Sequence, residues 1–477
     1  MNKNKLYLYT GIIFISLSYA ACKIPAVTSK TENKTVPGHF SASQDSSAKA
    51  VVKWKEYFTD KYLDALIDTA LKNNQELSIT LQEIDIARNE IKARKGEYLP
   101  FVGVKVGAGV DKVGRYTNIG AMEANTDIKE GKEMPDPMPD LQIAAYATWE
   151  ADIWHKLHNA KKAAVNRYLA TIEGRNFIIT NLIAEIANSY YELLALDNQL
   201  EIVNKNIDIQ TNALQIVKAQ KEATRVTELA VRKFEAEVLN TQSLQFGIRQ
   251  QITETENRIN FLLGRYPRHI DRDDKAFENG MPDVIHAGIP SQLLTNRPDI
   301  RQAEQELAAL RLDVKVAKAK FYPQLAISAS VGYQAFNPAY LFTTPASLIY
   351  SLAGELLSPL INRNAIKASY FNANAKQVQA VYNYERTILN AYVEVVNQMN
   401  KIDNLAKSYD LKWKQVLALT QSIDISNDLF KSARADYMEV LMTQRDALES
   451  KFELIETKKQ QLNAMVNIYQ ALGGGWN

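Results

Sequence analysis

The sequence predicts an α+β fold in which one structural plan, two β-strands followed by a long antiparallel helical hairpin, is used twice. Three observations predict this class. Related segments recur a little over 200 residues apart, and each half holds a long proline-free stretch with an apolar residue at every seventh position. Each half also holds two segments in which apolar residues alternate with polar or small ones. We therefore expect an internally duplicated chain of coiled-coil hairpins and four strands.

The duplication is clearest where two segments 223 residues apart are aligned. Ile86–Pro100 then lies over Ala309–Pro323, and one arginine, two lysines and the final proline coincide. Later in the halves, Asn-Ser-Tyr at 188–190 falls over Asn-Ala-Tyr at 390–392, so small insertions change the offset but not the order. The two halves are therefore expected to share one structure.

The N-terminus resembles a lipoprotein export signal. An apolar stretch from Leu6 to Leu17 follows two lysines, and small residues continue up to Cys22, the only cysteine. This cysteine stands where a bacterial lipobox is acylated, although Tyr19 replaces the usual leucine; ordinary cleavage next to Ala20 is the alternative. A lone cysteine excludes an intrachain disulfide. The Ser/Thr/Lys-rich stretch that follows predicts an extended tether.

The chain is expected to contain a signal peptide, a lipidated tether and two repeats joined by a linker. These segments are 1–21 for the signal peptide, 22–55 for the tether, 56–270 for the first repeat, 271–295 for the linker and 296–477 for the second repeat. Each repeat is predicted to open with a helix, Tyr62–Lys95 in the first and Asp299–Lys320 in the second. The second helix follows a proline, which suits a helix start.

Four segments alternate with period two and are predicted to be β-strands. Their apolar faces are Val102, Val104, Val106, Ala108 and Val110; Leu141, Ile143, Ala145, Ala147, Trp149 and Ala151; Leu325, Ile327, Ala329, Val331 and Tyr333; and Leu348, Tyr350, Leu352 and Leu356. Alternation fits both a small sheet packed on helices and a membrane barrel. Aromatic residues near the strand ends favour the barrel, whose interfaces carry aromatic girdles; they are Tyr98, Phe101, Trp149, Trp154, Phe321, Tyr322, Tyr333 and Phe336. The connections Asp111–Pro139 and Asn337–Pro345 are predicted to be loops.

Four strands cannot close a barrel, and an open sheet edge in lipid leaves backbone groups unpaired at a cost of several kcal/mol each. The chain is therefore expected to assemble with copies of itself. Two copies give eight strands, whose bore is filled by side chains, whereas three give twelve strands and an aqueous lumen. The expected fold is thus a trimeric, twelve-stranded β-barrel that continues into helical hairpins.

The two proline-free stretches are predicted to form long coiled-coil helices. Apolar residues recur at a step of seven in both: Val165, Ile172, Ile179, Ile186, Leu193, Leu200, Ile207 and Leu214 in the first, and Val381, Ile388, Val395, Ile402, Tyr409, Val416, Ile423 and Phe430 in the second. Polar residues crowd the flanking positions and predict a narrow buried stripe. Breaks near Ala223–Thr227 and Lys431–Tyr437 predict hairpin turns.

Composition excludes several classes of function. A formal charge of +2 without a basic, aromatic-rich run makes nucleic acid an unsuitable partner. The residues beyond the N-terminus contain no apolar run long enough for a membrane helix. Nucleophile and phosphate-loop motifs are absent, so no catalysis and no cofactor are expected. His155 and His158 alone have helical ligand spacing; we expect no carboxylate cluster to complete a metal site there, and interpret the pair as polar residues at an interface or tunnel mouth.

The chain resembles the TolC-like outer-membrane factor family, and within it the lipoprotein branch that serves resistance-nodulation-division efflux pumps. The matching segments are the Tyr-Leu-Pro and Phe-Tyr-Pro strand beginnings, Trp149-Glu-Ala-Asp-Ile-Trp154, Asp436-Tyr-Met-Glu-Val-Leu-Met-Thr-Gln-Arg-Asp-Ala447 and Ala471-Leu-Gly-Gly-Gly-Trp476. The resemblance implies a homotrimer that is lipid-anchored in the outer membrane of a Gram-negative bacterium and extends into the periplasm. It also implies a periplasmic adaptor and an inner-membrane pump as partners.

The resemblance further implies functional residues at the hairpin turns. The family closes its periplasmic end with acidic rings after the second turn; Glu439 matches one position, whereas Met442 departs from the acidic pattern at the next. Three alternatives are open for these residues. Asp436 supplies the second charge of the gate, or a ring of Met442 side chains narrows the bore. In the third alternative, Asp436 and Glu439 are simply solvated residues at a turn. The expected adaptor contacts are Thr224, Arg225, Val226, Arg434, Ala435 and Tyr437.

The expected function is that of a passive outer-membrane channel in a tripartite efflux pump that exports drugs, toxic compounds or metal ions. Two alternatives stay open: the exit duct of a type I-like protein secretion system, and a periplasmic coiled-coil structural lipoprotein.

Overall fold

The computed structural model describes residues 24–41, 53–273, 277, 288–359, 361, 363–432 and 434–476. The predicted signal peptide and Cys22 lie outside the described residues, as do parts of the predicted tether and linker. In the described part of the chain, no helix has both the length and the apolar composition that a membrane-crossing helix needs.

Long helices dominate the described residues. The helices are α1 (Trp54–Tyr57), α2 (Lys61–Asn73), α3 (Gln75–Tyr98), α4 (Asn118–Ala124), α5 (Lys156–Glu222), α6 (Glu228–Leu262), α7 (Leu293–Asn296), α8 (Pro298–Ala319), α9 (Asn364–Lys431) and α10 (Tyr437–Ala471). The strands are β1 (Phe101–Asp111), β2 (Asp127–Lys129), β3 (Lys132–Glu133), β4 (Met138–Ala151), β5 (Gln324–Ala335) and β6 (Leu348–Leu357).

The two halves repeat the same order of elements, as the sequence predicts. The long helices α5 and α9 have 67 and 68 residues, and the returning helices α6 and α10 have 35 residues each. The predicted hairpin turns lie between these helices. One predicted helix, Tyr62–Lys95, is instead two helices, because the Asn74 side chain donates to the Leu262 carbonyl and accepts from the Leu77 amide at the break between α2 and α3.

Strands β1, β4, β5 and β6 form one antiparallel sheet in the order β1-β4-β5-β6. The predicted loop Asp111–Pro139 is only partly irregular, since it contains α4 and the small β2-β3 hairpin. A short 3₁₀ turn, Pro338–Tyr340, lies in the connection from β5 to β6.

The chain divides into two compact units that do not follow the sequence halves. Of the described residues, those within 24–31, 85–169 and 305–382 form unit 1, and those within 32–84, 170–304 and 383–476 form unit 2. Unit 1 contains the sheet and a small core in which Phe321 contacts Tyr370 with ring centroids 5.7 Å apart. Phe321 is only 2% exposed, so it belongs to this core and not to the predicted aromatic girdle.

Unit 2 contains the main core. The two predicted heptad stripes lie on α5 and α9, each of which contains residues of both units. Every member of the stripes is buried or half-buried, which confirms the coiled-coil periodicity. The stripe is not narrow everywhere: between Leu182 and Leu196 most residues are buried, because side chains from α1, α2, α6 and α10 join the same core. Trp54, inside the predicted tether, is one of these core residues. Tyr190, fully buried, donates from its hydroxyl to the Asp60 carboxylate at 2.7 Å.

Residues 24–41 form no helix or strand and lie along α9. In unit 1, the Asn374 side-chain amide donates to the Thr28 carbonyl at 3.0 Å. In unit 2, the Asn33 amide donates to Glu385 at 3.0 Å, and Phe40 stacks on Tyr392 with centroids 5.5 Å apart. Residues 24–41 of the predicted tether are therefore an extended segment with defined contacts, whereas its last residues, Trp54 and Lys55, begin α1.

Candidate functional site

The sheet has one apolar and one polar face, and the strand register confirms the predicted assignment of each. Val104 pairs with Ala145, Ala145 with Val331, and Val331 with Tyr350, so four apolar side chains cross the sheet in one row. The neighbouring row, on the opposite face, joins Lys105, Ala144, Gly332 and Ile349.

The apolar face is open to its surroundings. The fractional exposure is 70% for Val104 and 80% for both Tyr350 and Leu352. A contiguous exposed apolar surface of this kind marks a binding or membrane surface, because water is a poor solvent for it. The opposite face carries Lys105, Glu150 and Glu355, which are suited to water.

The sheet also has two open edges. Within the described residues, β1 pairs only with β4 and β6 pairs only with β5. Each edge strand therefore presents a row of backbone donors and acceptors to a further strand. With β1 and β6 at opposite edges, the β6 of one copy and the β1 of another can extend the sheet.

Aromatic residues lie where the strands end. The Trp149 indole donates to the Tyr98 carbonyl at 3.1 Å, and the Trp154 indole donates to the Pro323 carbonyl at 2.7 Å. Trp154 also stacks on Tyr322 with ring centroids 4.6 Å apart. The indole nitrogens of Trp149 and Trp154 are thus hydrogen-bonded while parts of both rings stay exposed. This combination suits a position at a membrane–water interface.

The two hairpin turns have closely matching geometry. The Arg225 amide donates to the Gln220 carbonyl and the Arg434 amide donates to the Leu429 carbonyl, each at 2.9 Å. Thr227 and Asp436 are then the N-cap residues of α6 and α10, with similar extended backbones. The duplication therefore extends to the hydrogen bonds of the turns.

The six predicted contact residues divide into two groups. Thr224, Arg225 and Arg434 are exposed, whereas Val226, Ala435 and Tyr437 are half-buried. Val226 and Tyr437 pack against a cluster that joins the two hairpins, formed by Leu214, Val217, Ala230, Val231, Phe234, Val238, Val440 and Leu441. The Val226 and Tyr437 side chains therefore anchor the two turns to this cluster, and each also keeps part of its surface exposed.

The three predicted gate residues, Asp436, Glu439 and Met442, follow one another at a spacing of three along the start of α10, and all are exposed. Acidic side chains at a helix N-terminus interact favourably with the helix dipole. The Asp436 side chain makes no capping hydrogen bond, so its carboxylate is not committed to the helix end. Met442 is 50% exposed, which is unusual for a methionine that serves packing alone.

A model of the family described as outer membrane efflux protein matches residues 66–265 and 289–474, which include most of both repeats. The chain belongs to the outer membrane efflux protein family. It is therefore an outer-membrane component of an efflux system. This membership agrees with a chain that contains both a sheet with an exposed apolar face and long helical hairpins.

The chain is similar to outer-membrane efflux proteins over most of its own length and most of theirs. The pyoverdine export outer membrane protein OpmQ of Pseudomonas aeruginosa is 27% identical over 435 residues, which cover 91% of this chain and 90% of OpmQ. The cation efflux system protein CusC of Escherichia coli strain K12 is 23% identical over 445 residues, which cover 92% of this chain and 93% of CusC.

Solved structures share the fold. The open state of the MtrE outer membrane channel of Neisseria gonorrhoeae superposes with a TM-score of 0.80 at 20% identity, covering 96% of this chain and 99% of MtrE. A CusC structure superposes with a TM-score of 0.82 at 21% identity, covering 94% and 99% of the two chains. The TolC-like fold of the single chain, with duplicated helical hairpins and a four-stranded antiparallel sheet, is confirmed.

The first hairpin turn of this efflux-family chain contains a strained residue. Thr224 has a φ of 58°, and its amide donates to the Lys221 carbonyl at 2.8 Å, which completes a Schellman motif with the Arg225 bond. Glycine usually occupies this left-handed position, because a β-branched side chain is strained there.

We expect Thr224→Gly to stabilise the hairpin by about 1 kcal/mol, the approximate cost of placing an L-residue in the left-handed region. The midpoint of thermal unfolding, followed by circular dichroism, should rise. Thr227→Gly is the matched control, since Thr227 lies in the same turn at a φ of −85° and should gain nothing. A midpoint that rises equally in both variants contradicts the explanation.

The structure places a carboxylate beside the histidine pair, where the sequence analysis expected none. Asp152, His155 and His158 bring one potential ligand atom each within 4.8 Å of one another. The structure therefore adds one carboxylate that the interpretation of the histidine pair did not include. The signal that could have found it is the regular spacing Asp-x-x-His-x-x-His, which a search for histidine pairs alone overlooks.

Proposed function

We propose that three copies of the chain form one passive channel through the outer membrane. The observation that carries this proposal is the four-stranded sheet, with its exposed apolar face and two open edges. Three such sheets, joined β6 to β1, give twelve strands with all edges paired, apolar side chains toward lipid and Lys105, Glu150 and Glu355 toward water. The hairpins then extend from the barrel into the periplasm.

We further propose that the channel is the exit component of a tripartite pump. An adaptor in the periplasm and an inner-membrane pump supply substrate and energy, because the chain itself has no motif for ATP hydrolysis. The substrates are small molecules or metal ions; support comes from relatives named for pyoverdine export, toluene efflux and cation efflux. Acylation of Cys22 would add a lipid anchor in the outer membrane.

The proposal is tested by purification from outer membranes and planar-bilayer recording. We expect a trimer that resists SDS until heated and that forms ion-conducting pores. A monomer in the soluble fraction, or trimers without conductance under any applied voltage, would falsify the channel. Mass spectrometry of the mature N-terminus decides acylation separately, since an unmodified cysteine refutes the anchor without affecting the channel.

We propose that Asp436 and Glu439 line the narrow periplasmic end of the channel, with Met442 one turn further along. Around a threefold axis, six carboxylates in two rings repel one another and attract cations, so they favour cation occupancy of the closed end. The exposed Thr224, Arg225 and Arg434, with Val226, Ala435 and Tyr437, are the proposed adaptor contacts. A photoreactive amino acid at position 225 should crosslink to the adaptor in cells, and a crosslink only to other proteins refutes this contact.

For the gate, the double substitution Asp436→Ala and Glu439→Ala should raise resting conductance several-fold and remove block by divalent cations. The physical reason is the loss of the fixed charges that hold cations in the narrow end. Asp428→Ala is the control, because Asp428 is an exposed carboxylate of the same hairpin near Lys431. Equal conductance and equal cation block in wild type and double variant would refute the role.

A further inference from the structure

The turn between β4 and α5 carries a cluster that channel function does not use. Asp152 directly follows β4, His155 lies in the turn, and His158 lies in the first turn of α5. Their three potential ligand atoms lie within 4.8 Å of one another. All three residues belong to unit 1.

The carboxylate is fixed and largely buried. The Asp152 side chain is 3% exposed, its Oδ1 accepts from the Leu157 amide at 2.9 Å, and its Oδ2 accepts from the His158 amide at 2.8 Å. The His158 ring lies 2.7 Å from the same Oδ2 through Nδ1. Two backbone amides therefore hold the carboxylate in one orientation against one imidazole.

The two histidines are also positioned. The Tyr98 ring packs on His158 edge to face, with centroids 4.2 Å apart. His155 has a φ of 55°, and its ring lies 5.7 Å from that of His158. Capping of α5 explains the bonds of Asp152, but it does not explain why an exposed imidazole is held beside it by an uncommon backbone conformation.

We propose that Asp152, His155 and His158 bind a divalent transition-metal ion, with Zn²⁺ as the representative ion. Two imidazoles and one carboxylate are a known ligand set for zinc, which accepts three protein ligands and leaves a fourth position to water. Imidazole also suits copper and nickel, whereas magnesium and calcium prefer sites built of oxygen. The bound ion ties the end of β4 to the start of α5.

Binding needs only a small rearrangement. The ion replaces the hydrogen bond between Asp152 and His158 with one bond to Oδ2 and one to Nδ1, and His158 then carries its proton on Nε2. The partial positive charge at the start of α5 opposes a cation, and the Asp152 carboxylate offsets it. We therefore expect micromolar affinity and no tighter.

The test uses the full-length protein purified without a histidine tag, stripped with EDTA and titrated with Zn²⁺ by isothermal calorimetry. His155→Asn keeps a residue type that tolerates positive φ but removes the imidazole. His158→Gln keeps a donor toward Asp152 and removes the ring nitrogen. His269→Asn is the matched control, because His269 is 70% exposed, has one carboxylate, Glu256, at 2.9 Å, and belongs to no group of three potential metal ligands among the described residues.

We expect about one Zn²⁺ per chain, with affinity reduced at least about tenfold in His155→Asn and His158→Gln and unchanged in His269→Asn. Co²⁺ added in place of Zn²⁺ should give a visible absorption band that both site variants lose. Wild-type protein that binds no Zn²⁺ above background overturns the proposal. So does a His155→Asn variant that is folded by circular dichroism and binds Zn²⁺ as wild type does. None of these measurements depends on conductance. The proposal of a metal site and the proposal of a channel can therefore be refuted independently of each other.

Discussion

Leu352→Arg is expected to abolish assembly of the trimer in the outer membrane. Leu352 is 80% exposed on the apolar face of the edge strand β6, in the row that also holds Ala329 and Ala147. An arginine on the lipid face of a barrel costs about 2–4 kcal/mol per chain near the bilayer midplane. In the proposed trimer this cost arises three times, about 6–12 kcal/mol in total, which is comparable to the whole net stability of a typical folded protein.

The measurement is the yield of heat-modifiable trimer in outer-membrane fractions on SDS gels. Ser351→Arg is the matched control, because Ser351 is the adjacent residue on the opposite face, where its hydroxyl lies 2.8 Å from that of Ser330. That variant should assemble, since the polar face already contains Lys105. If both variants assemble equally well, the apolar face does not contact lipid and the barrel proposal is wrong.

Arg297→Met is expected to destabilise unit 2 by about 3–5 kcal/mol, because it leaves the largely buried Asp299 carboxylate and the Ala471 carbonyl without their donor. The Arg297 guanidinium is 6% exposed and bonds the Asp299 carboxylate through Nε and Nη2 at 3.0 and 2.7 Å. Its Nη1 donates to Glu394 at 2.7 Å and to the Ala471 carbonyl at 2.9 Å. One side chain thus joins α8, α9 and the end of α10.

Burial by itself lowers the pKa of Arg297, but the hydrogen bonds and charge of Asp299, with the charge of Glu394, raise that pKa more, and the net pKa lies above its usual value. The guanidinium therefore stays charged at every pH at which the protein folds. Its loss should lower the midpoint of thermal unfolding measured by circular dichroism.

Arg94→Met serves as the matched control for the arginine substitution. Arg94 also contacts two carboxylates, Glu90 and Glu97, but its side chain is 40% exposed, so each pair contributes less than about 1 kcal/mol. A similar fall in the unfolding midpoint for both variants would show that the buried ion pairs of Arg297 stabilise the protein no more than the exposed ion pairs of Arg94.

Much of the fold follows from local sequence. The step-seven apolar residues predict α5 and α9, since a seam at that spacing keeps one face against a neighbour. The hairpin turns are predicted because the periodic pattern breaks near Thr224 and again near Arg434. The faces of β1, β4, β5 and β6 are predicted correctly because side chains of a regular strand alternate between its two faces.

Other features of the fold cannot be predicted from local sequence patterns. The break at Asn74 depends on the carbonyl of Leu262, and Phe321 is buried because Tyr370 packs on it; both partners are distant in sequence. At the site, the gate residues rest on family resemblance, whereas the Asp152 cluster needed coordinates to show that the three ligand atoms converge. Membership of the efflux family favours the channel over the structural lipoprotein that the sequence left open.

The sequence by itself determined the duplicated order of helices and strands, the faces of those strands and the membership of an efflux family. These properties depend on residue periodicity and on recurring motifs, which are visible along the chain. Tertiary structure alone decided the strand order β1-β4-β5-β6, the two open edges, the buried Arg297 network and the approach of Asp152 to His158. All four features depend on how strands and side chains are oriented toward one another after folding. The spacing of residues along the chain does not specify that orientation.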